Sequence, residues 1–411
     1  MFFLAIRHLL ARKKQTIITL SGVMLGVTAF VTFSGIMTGF QDFIIDQLVN
    51  NDSHVRVTAR EETIEEHSFD LSFFPQGEQI FWLTPPSGKK ENARITHPLG
   101  WFHRLKADPR VIGYSPQLVT NALFTRGGNS VSGRITGVDP NLQIHITNIE
   151  NYMKKGKFLD LGRSGQHVIV GDELMKKLGA RIGDSIFLST GKGPTLPFKI
   201  IGTFHLGIMG LDNAMGFAPL VDVQSLNNTP SQISDIAIRL TDVEYARDFA
   251  DSYALFSQEK VQSWDQSNAN ILSVFSIQNF IKSFVTISIM IVAAFGIYNI
   301  LNILVNQKRK DIGILRSVGF ESSDIVHLFL IQGLILGISG GLLGLMMGKF
   351  MSLYIETLRI GGMTDRMIVN HSPKVYLSGL VMAITSSAIS SVLPAISAGK
   401  LKPIDIVRSG E

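Results

Sequence analysis

Four stretches of the chain carry no charged residue: 15–41, 283–307, 325–348 and 375–399. A helix crossing roughly 30 Å of hydrocarbon takes about 20 residues, and each stretch is long enough. Helices inside water-soluble cores rarely run so far uncharged, so the pattern predicts an α-helical membrane protein with four transmembrane helices. The first stretch differs from a signal peptide. It is too long, no small-residue cleavage site follows it, and "DFIIDQLV", 42–49, continues its helical spacing.

Between the first and second stretches the period changes. Residues 55–60 alternate as a strand does. "QHVIVGDELMKKLGARIGDSIFLST", 166–190, predicts strand, helix, strand, with Gly179 and Gly183 marking the helix end and the turn. Residues 198–203 and 236–240 are further strands, and 243–253 is a helix. Residues 51–263 are therefore an inserted extracytoplasmic α+β domain, between a segment 1–50 and a helical segment 264–411. Within it, 61–100 has no clear period. Its Phe73, Phe74, Phe81 and Trp82 form either a partner surface or a small cluster packing the loop onto its own domain. Residues 264–282 are amphipathic, with Ile271, Leu272, Phe275 and Phe280 on helical spacing, and run straight into the second span. With 42–49 they predict two helices emerging from the membrane as a stalk.

Only 17% of residues are charged, against about 25% in ordinary soluble proteins, and the deficit lies in the four uncharged runs. Basic residues orient the spans. Arg7, Arg12, Lys13 and Lys14 precede the first with no acid among them, which predicts a cytoplasmic N-terminus. An even number of crossings returns Lys400, Lys402 and Arg408 to the same side, together with Lys308, Arg309 and Lys310. The loop 349–374 carries Lys349, Arg359, Arg366 and Lys374 against this assignment, but at lower density. The large domain is then outside, and long domains cross regardless of charge.

Much chemistry is excluded. The chain has no cysteine, hence no disulfide or thiolate ligand. It has no G-x-x-x-x-G-K-[ST], no H-E-x-x-H and no G-x-S-x-G, and His103, His167 and His205 lack ligand-like spacing. No cofactor, metal or catalytic residue is expected in this chain. No basic stripe with interleaved aromatics suggests nucleic acid. The uncharged runs hold no carboxylate or lysine of the kind ion-coupled carriers use. Their polar residues, Asn299, Asn302, Gln332, Ser386, Ser387 and Ser390, suit hydrogen bonds between helices. In "GLILGISGGLLGLMMG", 333–348, Gly333, Gly337 and Gly341 repeat every four residues, as do Gly340, Gly344 and Gly348. Two close-packing faces follow, within the chain or toward a second copy.

Between the second and third spans stands "KDIGILRSVGFESSDI", 310–325. Ile312, Leu315 and Val318 share one helical face, while Asp311, Arg316 and Ser317 lie off it. Gly319 can end the helix and 322–324 can begin the next. So short a helix is marginal alone in water and needs a surface to pack on. Its pattern fits a membrane surface or a groove on a soluble partner equally well.

"KDIGILRSVGF" resembles the cytoplasmic signature of FtsX-like, MacB-type permeases, with Asp311 standing where that family more often has Glu. "LPAISAGKLKPIDIVRSGE" resembles their closing motif, and "LAIRHLLARKKQTIITLSGVMLGVTAFV" their first helix, most nearly in lipoprotein-releasing permeases of the LolC/LolE type. "GVDP", 137–140, and the 165–188 run are similar to their periplasmic domain. The resemblance implies an inner-membrane ABC transporter permease paired with a second permease chain, identical or homologous. Two separate ATPase subunits would bind ATP and Mg. Asp311, Ile312, Leu315, Arg316, Val318 and Gly319 would dock the ATPase, and the stalk would pass nucleotide-driven closure outward by mechanotransmission.

In the lipoprotein-releasing reading, lipoprotein is the substrate and is extracted from the membrane. Exposing three acyl chains of about 15 methylenes each to water costs on the order of 36 kcal/mol, so they must pass between apolar surroundings. Met24, Val27, Phe30 and Phe33 on the first span, and Phe284 and Phe295 on the second, would line that cavity, unless they are ordinary packing or lipid-facing residues. Two departures bear on partners. Residues 61–97 look like an insertion, and the 189–199 connection is shorter than the hook that recruits a soluble carrier in the LolC type. A periplasmic carrier or adaptor is thus an open expectation. MacB-type efflux and control of cell-wall hydrolases are the alternative functions.

Overall fold

The computed structural model describes residues 2–11, 13–60, 62–67, 81–90, 94–163, 165–358 and 367–401. The chain divides into two compact units. Among the described residues, one is helical and holds 2–43, 273–358 and 367–401; the other is Ile44–Leu272.

The helical unit contains α1 (Phe2–Ala11), α2 (Lys13–Asn50), α3 (Ala269–Gln307), α4 (Arg309–Ser317), α5 (Ser322–Glu356) and α6 (Pro373–Gly399). Of these, α2, α3, α5 and α6 are long and apolar enough to cross a membrane. At 1.5 Å per residue, the 38 residues of α2 span about 57 Å, well beyond the hydrocarbon thickness. The 39 residues of α3 do the same. The outward extensions expected at 42–49 and 264–282 are largely the ends of these two helices; a separate turn, Trp264–Ser267, precedes α3.

The core of this unit is a seam of Val23, Val27 and Val31 from α2, Ile297, Leu301 and Leu304 from α3, Phe329 and Leu336 from α5, and Ala383, Ala395 and Ala398 from α6. Small residues on α5 let the helices approach, as the glycine spacing predicts. A Cβ on Gly337 would lie 2.5 Å from Ser387 Cβ of α6; on Gly344 it would lie 2.6 Å from Val27 Cβ of α2. Gly333 and Gly341 join the first face, against Ser391 and Ala383. Gly340 and Gly348 join the second, against Val23 and Val31. Some polar groups bond between the helices. Thr28 donates to the Gly344 carbonyl at 3.1 Å and Ser386 to the Met290 carbonyl at 2.9 Å. Gln332, fully buried, meets His8 Nδ1 at 3.3 Å.

The second unit is built on one mixed sheet. Its strands are β1 (Val55–Thr58), β4 (Val111–Arg126), β5 (Asn129–Val138), β6 (Met153–Lys155), β7 (His167–Gly171), β8 (Ser185–Ser189), β9 (Leu196–Phe204), β10 (Met215–Pro219), β11 (Asp235–Leu240) and β12 (Lys260–Ser263). Their order is β12-β1-β11-β4-β5-β10-β7-β9-β6, with β8 bridging β4 and β9. A separate two-stranded piece pairs β2 (Glu62–Ile64) with β3 (Gly88–Lys90). Strand, helix and strand occur at 166–190 as the spacing predicts, with the helix at Asp172–Lys177. Helix 243–253 begins as a 3-10 turn, Val243–Tyr245, before Ala246–Ala254. The pattern does not reveal β6, β10, β12, the helices Pro98–Ala107 and Leu220–Leu226, or the long β4–β5 hairpin. Its 16-residue strand alternates only in part, because much of its length is half-exposed on both faces. Gly127, at φ +59°, makes its turn, a conformation glycine adopts without cost.

In the loop 61–100, Phe73 and Phe74 lie outside the described residues, while Phe81 is exposed and Ile95 packs into the core with Trp101 and Leu105. Arg12, Arg359, Arg366, Lys402 and Arg408 also lie outside the described residues.

Candidate functional site

The helix α4 follows α3 immediately and precedes α5, so two spans hold it at their shared end. Glu321 and Asp324 cap α5 reciprocally, and Gly319, at φ +107°, turns the chain between the two helices. Only glycine takes that conformation without strain. Asp311 pairs with Lys308 in the preceding turn, and Arg316 donates to the Phe320 carbonyl at 3.3 Å.

The expected apolar face of α4 divides in two. Ile312 is 0% exposed and belongs to the helical core, with Leu315 packed against it. Ile314 and Val318 are 62% and 76% exposed. They stand four residues apart and so share a helix face. Of the expected docking residues, then, Ile312 and Leu315 hold the helix to its own bundle, and Val318 faces outward. Ile314 is the residue that sequence reasoning missed. It falls off the Ile312–Leu315–Val318 spacing, and its only signal was being apolar on what looked like the polar side.

The described part of the closing motif, residues 393–401, meets the start of α5. Ser322 at the start of α5 donates to the Gly399 carbonyl at 2.6 Å, and Ala395 and Ala398 are fully buried. A Cβ on Gly399 would lie 2.8 Å from Val326 Cγ2. The small residues after Pro394 thus bring the end of α6 against the start of α5.

The six residues expected to line a cavity separate. Val27 and Phe30 are buried in the bundle, and Met24 and Phe33 are half-buried. Phe284 and Phe295 stand exposed on α3, at 65% and 68%. A groove of about 440 Å³ does run between α2 and α3, but Ile18, Gly22, Val292, Gly296, Asn299 and Ile303 line it, among others.

In the sheet unit the fold unites residues that sequence spacing kept apart. His205 Nδ1 lies 2.9 Å from Asp172 and 3.4 Å from Asp212. Lys154 bonds the other oxygen of Asp172 at 2.7 Å, and Asp212 accepts from the Leu206 and Gly207 amides at 2.7 and 3.0 Å. Three potential metal donors therefore lie within 4.8 Å of one another, but each is already engaged by protein groups. The cluster is a charge-balanced latch closing the turn after β9. Burial disfavours the charged imidazole, yet the Asp172 hydrogen bond and the fields of Asp212 and Asp172 outweigh it and hold His205 above its ordinary value. Burial holds the Asp212 carboxyl above the carboxylate range.

Comparison with known proteins matches the chain in two parts, the first of which takes in α2 together with most of the sheet unit. Residues 16–252 match the MacB-like periplasmic core domain and residues 283–403 the FtsX-like permease C-terminal domain. The chain is 24% identical to the lipoprotein-releasing system transmembrane protein LolC of Xylella fastidiosa, covering 98% of each. It is 22% identical to the transmembrane protein LolE of the same kind of system in Haemophilus influenzae, covering 99% of each. It is also 22% identical to the macrolide export ATP-binding/permease protein MacB of Bordetella avium, over 96% of this chain but 58% of that protein. The four long apolar helices, the helix held between two of them and the inserted sheet unit fit these matches: the chain belongs to the FtsX-like ABC transporter permeases that carry a MacB-like periplasmic core domain.

Proposed function

We propose that the chain is the permease subunit through which a separate ATPase drives extraction of lipoproteins from the inner membrane. The observation that carries this reading is α4, held rigidly between two spans by Ile312 and Leu315 while Ile314 and Val318 stand free. An exposed apolar pair on a short, braced helix suits a groove on a soluble partner. The basic residues around it, Lys308, Arg309 and Lys310, support a cytoplasmic reading of that end and a periplasmic one of the sheet unit. Lipoprotein as cargo is supported by the relatives, since lipoprotein-releasing permeases align over 98–99% of this chain. Phe284 and Phe295 on the exposed side of α3 offer an apolar wall along which acyl chains can pass. A second permease chain completes the membrane part, and ATP and Mg belong to the ATPase. MacB-type efflux is the second reading, favoured by the MacB-like core domain and by matches to longer macrolide exporters.

The test is affinity purification of the full chain in mild detergent, with mass spectrometry of what accompanies it. An ATPase together with triacylated lipoproteins is the expected result. An ATPase with a periplasmic adaptor and no lipoprotein would transfer the function to efflux.

A further inference from the structure

The groove between α2 and α3 has a use that cargo transport does not require. It is carved by two glycines. A Cβ on Gly22 or on Gly296 would meet nothing within 4 Å, so no packing demand accounts for either. One turn along, Gly26 does meet its neighbour, with Ile289 Cγ2 3.3 Å from its Cβ position, and there the two helices touch. The groove therefore lies on the half of α2 nearer Lys13. Its rims, Ile18 and Val292, are strongly exposed on helices made to stand in lipid, so it opens on the hydrocarbon.

What borders this end is basic. Lys14 precedes Ile18 by four residues, on the same helix face. Lys13 and Arg7 are exposed at the same end of the chain's helical part, and the acids near that end are engaged: Asp311 pairs with Lys308, and Glu321 and Asp324 cap α5. The helix α1 is tied to α2 by Thr16 Oγ1, which donates to the Leu9 carbonyl at 2.8 Å. Ala5 and Leu9 face the bundle, and the opposite stripe of Phe3, Arg7 and Leu10 is exposed. An apolar stripe carrying a cation, joined directly to a span, lies in the plane of a bilayer surface.

We propose that this corner is a binding site for an anionic glycerophospholipid. One acyl chain lies in the groove over Gly22 and Gly296, and Lys13, Lys14 and Arg7 hold the phosphate. The walls are mostly apolar, with Gln15, Thr19 and Asn299 among them, the opening admits what the bilayer supplies, and the cations select the headgroup. The site rests on the four spans standing in lipid and not on the identity of the cargo or the presence of an ATPase.

The test uses the full chain in nanodiscs of phosphatidylcholine with a minor fraction of phosphatidylglycerol, released and weighed by native mass spectrometry. Wild-type protein should retain phosphatidylglycerol well above its bulk fraction. Lys13→Gln with Lys14→Gln should reduce that enrichment about fivefold per lysine, and the paired arginine variant should keep it. Gly22→Leu with Gly296→Leu should lose both lipids, with an unchanged melting temperature confirming the fold. If the filled variant does not fold, the glutamine pair decides alone. Retention at the bulk ratio, or enrichment unmoved by the glutamine pair, overturns the proposal. So does recovery from native membranes of a lipopeptide in place of a phospholipid. Failure of the transport reading would show only in the purification experiment above.

Discussion

Single residues carry sharp consequences here because helix approach and buried charge tolerate little change. Gly344→Ala would push a methyl group to 2.6 Å from Val27 Cβ and 2.8 Å from the Met24 carbonyl. It should cost about 1–3 kcal/mol, read as a lower melting temperature in detergent. Gly22→Ala, with open space around it, should melt at or slightly above the wild-type temperature. Equal melting of the two variants would mean that α5 has no need of close contact with α2. His205 offers a second test, through pH. A histidine whose folded value is raised contributes stability that is complete below its unfolded value, near 6.5, and lost as pH rises through the folded value. Asp212, also raised, acts in the same sense, whereas Asp172, lowered, loses its contribution only in acid. The sheet unit should therefore melt at progressively lower temperature as pH rises above about 6.5, and His205→Gln should flatten that slope. A slope unchanged in the variant would remove His205 as its source.

At the scale of the element, α4 shows how a correct helix can be assigned the wrong outer face. The spacing Ile312, Leu315, Val318 marks one apolar stripe, but the bundle takes its first two members. Val318→Asp and Ile314→Asp should each cut recovery of the ATPase on the purified permease at least tenfold, since a buried unpaired carboxylate in an apolar interface costs several kcal/mol. Insertion and melting temperature should hold. Ile312→Asp should instead lower the melting temperature, being buried in the chain's own core. Normal ATPase yield from the Ile314→Asp, Val318→Asp double variant would dismiss this face. The hairpin of β4 and β5 was not legible, because a strand half-exposed on both faces loses the alternation by which strands are recognised.

For the whole molecule, the division between the two units falls inside continuous helices. The boundary at Phe43 and Ile44 lies within α2, and that at Leu272 and Ser273 within α3. A helix transmits displacement along its axis as long as its hydrogen-bond ladder is unbroken. Ser276→Pro would remove one bond and force a clash, at about 3 kcal/mol. If the proposed function holds, in a reconstituted system it should leave the ATPase bound and hydrolysing ATP while lipoprotein release fails. Release at the normal rate would argue against a rigid coupling through α3.

The sequence by itself determined the four long apolar helices and the inserted unit, because uncharged length and a change of period are local properties of the chain. It determined the two glycine faces for the same reason, since a four-residue repeat is a helix face wherever the helix goes. Tertiary structure decided which helix each glycine face meets, which side of α4 is free, that His205 stands between Asp172 and Asp212, and that Gly22 and Gly296 enclose a groove. Those are relations between elements distant along the chain, and only packing, which removes one face from solvent and leaves another, can settle them.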